Sequence, residues 1–191
     1  LHPRVRRQRQ MCIRDRTSIS DPLEQLWTDR PPMPEGPAFI HETKYAGKSS
    51  TEKISIIREE LKKCNAKALF LSALDEIAWT LNLRGSDVHC NPVVVSYLLI
   101  EEQHTHFFIQ PQKITPVVAN YLKEIGASLH PYEEVETYLN RINVDSLLIN
   151  PAKTNYAMYS AVNPNCRIIH GASPVTLLKA IRNKLEIAGI H

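Results

Sequence analysis

No stretch of the 191 residues stays apolar for the roughly 20 positions that a membrane-spanning helix needs, and no charged, apolar and small-residue sequence marks a secretory leader. Cysteine is scarce: Cys12, Cys64, Cys90 and Cys166 are scattered with no Cys-x-x-Cys pair. That usage excludes a zinc-ribbon spacing and suits reduced thiols in a cytoplasmic protein better than a disulfide framework. The six glycines are isolated, so there is no glycine-rich phosphate loop, and no serine lies in a Gly-x-Ser-x-Gly elbow. Aromatic residues are few and do not interleave with basic ones, which argues against an RNA-binding face.

The net charge of +3 misleads about the folded part. Six arginines and one aspartate fall within residues 1–16, leaving 17 basic and 19 acidic residues in the remainder. A basic arm can bind nucleic acid or an anionic surface. However, Met11–Arg16, MCIRDR, resembles translated sequencing adapter, and the preceding residues have no apolar period. Residues 1–16 are therefore read as a non-native arm, and a truncated native N-terminus is expected. The mildly acidic remainder implies no nucleic-acid partner and no membrane.

What is present is an alternation of strands and helices. Residues 17–44 hold Pro22, Pro31, Pro32, Pro34 and Pro37, which fix φ and remove amide donors, so they read as an interdomain linker with a short helical piece at 23–27. Trp27 is a candidate for burial against a neighbouring domain. Ser49 and Glu52 form a capping box for a helix with Ile54, Ile57 and Leu61 as its apolar stripe. Strands are predicted at 66–72, 93–101, 105–109, 127–130, 146–150 and 166–170, and helices at 117–125, 132–142, 154–162 and from 174 onward. The pair 93–101 and 105–109 reads as an antiparallel hairpin. Thr115-Pro116 and Ser173-Pro174 supply helix starts, and Gly126 a helix stop. On the last helix Val175, Leu178, Ile181 and Leu185 form the apolar face. The fold class is α/β, a mixed β-sheet with helices on both faces.

One stretch, LDEIAWTLNLRGSDVHCNPVVVSY at 74–97, organises the rest. Leu74, Ile77, Ala78 and Leu81 have helical spacing, and Asn82–Asp87 then breaks into a polar loop. Asn91-Pro92 closes that loop before the β-branched run at 93–100. Charged groups on a loop held at both ends by core elements suit a contact surface. Arg84 stands out, because Gly85 beside it permits close backbone approach and a guanidinium can grip a carboxylate with two bonds. The plainer expectation is that Arg84 pairs with Asp87 or Asp75 and braces its own loop. Asp75 and Glu76 complement the helix dipole. His104 and His106 share one face of a strand, a spacing that can hold a metal, but solvent-facing edge histidines are the commoner case. His130 and His170 read as surface or cap residues, and Cys90 as a buried core thiol.

The same stretch carries a resemblance. LDEIAWTLNLRGSD and NPVVVSY, together with Leu26-Trp27, Arg30-Pro31-Pro32-Met33-Pro34, Tyr45-Ala46-Gly47-Lys48-Ser49 and Lys53, resemble the middle domain of three-domain Xaa-Pro aminopeptidases, within the creatinase/prolidase/aminopeptidase family. The likeness covers residues 20–191. It implies a creatinase N-terminal-like domain at 45–173, a ribonuclease-H-like layer, and a helix at 174–191 leading toward a catalytic domain that these residues do not include. In that family a pita-bread domain cleaves the bond before a penultimate proline. Its two metal ions, usually manganese, are held by two aspartates, a histidine and two glutamates. None of those positions falls in this chain, so no catalytic or metal residue and no cofactor is assigned to it.

The resemblance implies a non-catalytic role: packing on the catalytic domain, shaping the cleft for peptides with penultimate proline, and joining in a homodimer. Arg84, Asp87, His89, Asn91 and Trp27 are the candidate cleft or interface contacts. The partners implied are the first and catalytic domains of the same parent. A free-standing interaction or scaffold protein on the same fold is the alternative.

Overall fold

The computed structural model describes residue 23 and residues 26–189, and the chain divides into two compact units, Leu1–Met33 and Pro34–His191. The arm at 1–16 lies outside the described residues. In the first unit the amides of Leu26 and Trp27 both donate to the Leu23 carbonyl, closing one turn, and the Arg30 guanidinium lies 5.7 Å from the Trp27 ring centroid. Trp27 is about half exposed.

The second unit is built on strands β2 (Ala68–Leu71), β4 (Ser96–Glu101), β5 (Thr105–Ile109), β6 (Ala127–Pro131), β7 (Ser146–Ile149) and β8 (Arg167–His170). They form one sheet in the order β6-β5-β4-β2-β7-β8. Pairings β2/β4 and β4/β5 are antiparallel, while β5/β6, β2/β7 and β7/β8 are parallel. A separate two-residue pair joins β1 (Phe39–Ile40) to β3 (Leu83–Arg84).

The near-continuous apolar strands follow from cover on both faces. Side chains alternate: Leu69, Leu71, Leu98, Ile100, Phe107 and Ile109 point into one core, with α2 (Ser50–Lys63), α3 (Leu74–Leu81), α4 (Pro116–Glu124) and α7 (Pro174–Ala180). Ala68, Phe70, Leu99, Phe108, Leu147 and Ile149 point into the other, with α5 (Val135–Arg141) and α6 (Tyr156–Ala161). Short α1 (Thr43–Ala46) and α8 (Lys184–Ala188) complete the unit. The mixed sheet covered on both faces is therefore as expected.

Local signals account for many helix ends. Ser49 and Glu52 make the expected capping box. The Thr115 and Ser173 hydroxyls accept the amides of Val118 and Val175, and Gly126 stands at φ 72°.

Two of the expected elements take a different form. The strand expected from Val93 begins at Ser96, because Val93 and Val95 spend their amides on the Asn91 carbonyl and the Asp87 carboxylate instead of a sheet neighbour. The single terminal helix is two: α7 stops at Ala180, and Asn183 starts α8 with its own capping box to Glu186. The break leaves Ile181 and Leu185 exposed, so the apolar face expected to include them is not continuous.

Candidate functional site

The stretch around Arg84 is set by how α3 ends. Asn82 takes the left-handed conformation (φ 49°, ψ 36°), which a short polar side chain tolerates, and its amide donates to the Ala78 carbonyl. The last carbonyls of a helix need donors. Arg84 Nη1 supplies one to Ala78 at 2.7 Å and also reaches its neighbour Leu83 at 2.9 Å. Lys53, on α2, donates to the Trp79 carbonyl (2.9 Å) and to Asn82 Oδ1 (2.6 Å), and its ammonium lies 4.4 Å from the Trp79 ring centroid. Two cations thus sit at the negative end of the α3 dipole. Arg84 pairs with neither candidate carboxylate: it braces its own loop, but through backbone carbonyls.

Those carboxylates have other partners. Asp87 Oδ2 accepts Lys113 Nζ at 2.5 Å and the Val95 amide at 2.6 Å, with neither side chain of the pair exposed. Asp87 Oδ1 is buried and has no hydrogen-bond partner. Asp75 pairs with Lys179, and the buried Glu76 accepts the Thr176 hydroxyl at 2.6 Å, so both tie α3 to α7 beyond any dipole effect. Gly85 is required by close approach: a Cβ there would lie 2.3 Å from Val94 Cγ1.

Beyond Asp87 the chain makes a tight excursion closed by a bridge between Val88 and Asn91, with the Asn91 amide donating to the Val88 carbonyl at 3.1 Å. His89, Cys90 and Asn91 are exposed at its tip, and Cys90 takes φ 59°. Cys90 is thus not the buried thiol expected: the tip projects it away from the strand that follows. The five candidates divide accordingly. Arg84 and Asp87 are engaged inside the loop, His89 and Asn91 are presented at its tip, and Trp27 belongs to the other unit.

Charge gathers on the α3 side. Burial pulls the Lys53 ammonium down to about 8, with Glu186 opposing and Arg84 and Lys48 adding. Burial also lowers His41, with Arg84 and Lys53 adding and Glu186 opposing. The result is a partly buried basic cluster faced by one carboxylate, suited to holding acceptors in place. Among the described residues no three His, Cys, Asp or Glu side chains are placed to hold a metal ion.

Sequence reasoning missed several of these groups. Lys53 and Lys113 give no local sign of burial, because their partners lie 29 and 26 residues away in sequence. Asn82 was legible as a helix stop by residue type. His106 is buried on β5 and His130 half-buried on β6, contrary to the solvent-facing expectation, because helix α5 covers that face of the sheet. His170, on the edge strand β8, bonds Tyr159.

With fold and site in hand, the class is defined: the chain belongs to the creatinase/prolidase N-terminal domain family, whose profile matches residues 29–186. Among its relatives, Xaa-Pro aminopeptidase 1 of Dictyostelium discoideum is 36% identical over 181 residues, 92% of this chain and 28% of that protein. The Xaa-Pro aminopeptidase ApepP of Drosophila melanogaster is 34% identical over 173 residues, 87% of this chain and 28% of that protein. The chain therefore spans under a third of the length of these relatives. Among solved structures, the X-prolyl aminopeptidase of Caenorhabditis elegans superposes with TM-score 0.83 at 28% identity, over 90% of this chain and 29% of that one. That protein is described as a cytosolic enzyme with a di-nuclear active site. The Xaa-Pro dipeptidase of Bacillus anthracis shares the fold at TM-score 0.53 and 15% identity, over 73% of this chain and 38% of that one.

Proposed function

We propose that this chain is the non-catalytic middle domain of a cytosolic, dinuclear-metal Xaa-Pro aminopeptidase, and that it packs on a catalytic domain to help shape the peptide cleft. The observation that carries this is the match to the C. elegans enzyme, which takes in 90% of this chain but only 29% of the enzyme. In this reading residues 17–44 link a first domain to the domain at 45–173, and residues 174–191 lead toward the catalytic part. The metal pair, with manganese as the proposed ion, is held by that part, where it activates water for attack on the peptide carbonyl.

Two surfaces support the docking role. Leu177, Ile181 and Leu185 are exposed along α7, the following turn and α8, an apolar area well suited to cover. The same helices are tied back to the domain by Asp75–Lys179, Glu76–Thr176 and a hydrogen bond that Asn183 Nδ2 donates to the Ala46 carbonyl, which fixes their direction. The exposed tip at His89 and Asn91 is the proposed cleft or dimer contact, and Arg84 holds the loop that presents it. The reading is tested by producing this chain and the remainder of the parent enzyme separately and measuring their association. Leu177→Asp with Ile181→Asp is expected to weaken binding at least about tenfold while leaving the isolated chain folded. No association of the unaltered parts, or binding indifferent to both substitutions, overturns the proposal.

A further inference from the structure

A second cluster of titratable groups lies in the other core, away from the Arg84 stretch. Tyr138 Oη is 2.9 Å from His106 Nε2, and His106 Nδ1 is 3.0 Å from His130 Nε2. His106 is buried, and the His130 ring stacks on Phe108 at 5.0 Å between centroids. The three groups come from β5, β6 and α5. Strand β6 is the edge of the sheet, paired with β5 alone, so this side-chain bond is an extra tie on an element with one neighbour.

Proton counting decides what the tie can tolerate. With both rings neutral, one facing nitrogen carries the proton and the other accepts it. With one ring charged the bond survives: a charged His106 donates from Nδ1 to His130 and from Nε2 toward Tyr138, with Glu101 Oε2 3.7 Å from that nitrogen. With both charged, the two facing nitrogens each carry a hydrogen, and like charges meet at a donor–donor contact. The other groups around the pair are Glu101 at the end of β4, His104 in the turn before β5, Glu134 just before α5, and Arg141 on α5 in the cleft beside Tyr138. The carboxylates favour a positive charge on either ring, while Arg141 and a charged His104 oppose it. Burial and the neighbouring His106 hold His130 below the ordinary imidazole value, against Glu134.

We propose that the facing imidazoles of His106 and His130 form a proton-operated latch on the edge strand β6, closed while at most one ring is charged and open when both are. Opening frees β6 and the turn at Tyr132–Glu134 from β5. The latch is independent of the proposed place of the domain in a larger enzyme.

Amide hydrogen exchange of the whole chain at about pH 7.5 and about pH 5, corrected for intrinsic rates, tests it. Protection across residues 127–130 is expected to fall about tenfold or more on acidification, while β2 and β7 keep theirs. In His130→Gln, whose amide can bond His106 without taking a charge, that extra loss disappears. The same loss in the variant, or none in the unaltered chain, overturns the latch. Imidazole nitrogen titration of the unaltered chain gives a second reading that needs no variant. His130 is expected to take its proton over the same pH range in which residues 127–130 lose protection, and protonation of His130 without that loss contradicts the proposal.

Discussion

Asp87 and Lys113 form an ion pair with neither side chain exposed, and its energetic weight lies in what happens when half of it is removed. Asp87→Asn leaves an ammonium buried without its counter-charge, and we expect a loss of about 3–5 kcal/mol in urea unfolding. Replacing both together, Asp87→Leu with Lys113→Met, is expected to cost less than the single change. Lys53 gives a pH signature. Its folded value of about 8 lies below the ordinary 10.5, so the folded state binds fewer protons between those values. The cost of burying the charge is full below about pH 8 and fades as pH rises toward 10.5. Urea midpoints relative to Lys53→Met should therefore rise across that window. A flat difference contradicts the buried, charge-bearing position. Arg84 was legible as the notable charge of its loop because of its glycine neighbour. Its partners were not, because carbonyls at a helix end leave no mark in residue identity, whereas carboxylates invite pairing on paper.

At the scale of elements, helix α3 is the frame for the loop: Lys53 and Arg84 neutralise its last turn, and Asp75 and Glu76 fasten its first turn to α7. Gly85 then lets the chain pass Val94 at contact distance. Gly85→Ala places a methyl group 2.3 Å from Val94 Cγ1 and 3.3 Å from the Val93 carbonyl oxygen. We expect a loss of about 1–3 kcal/mol, read as a lowered thermal midpoint, and partial recovery when Val94→Ala is added. Elements with local signatures were legible: the capping box at Ser49, the threonine and serine caps before Pro116 and Pro174, and the near-continuous apolar core strands. The pair β1/β3 was not, since two residues carry no periodicity and only the folded approach of Phe39–Ile40 to Leu83–Arg84 creates it. The Asn183 restart was missed because the apolar spacing of Val175, Leu178, Ile181 and Leu185 continues across it, and capping outweighed that spacing.

For the whole molecule, the sheet buries both faces within one unit, while Leu177, Ile181, Leu185 and Ile187 along α7 and α8 stay exposed. That arrangement suits a module completed by another domain, and it agrees with relatives more than three times as long. The fold and family were legible because long buried strands and the run from Leu74 to Tyr97 are properties of contiguous sequence. The placement of His106 against His130 was not, since it depends on parallel pairing of β5 with β6. The central proposal is that this domain supports peptide hydrolysis by a larger enzyme and does not perform it. Its most direct test is an assay of the purified chain on Xaa-Pro peptides, with and without added manganese. The account predicts no release of the N-terminal residue under either condition, and metal-dependent release by this chain alone would contradict it.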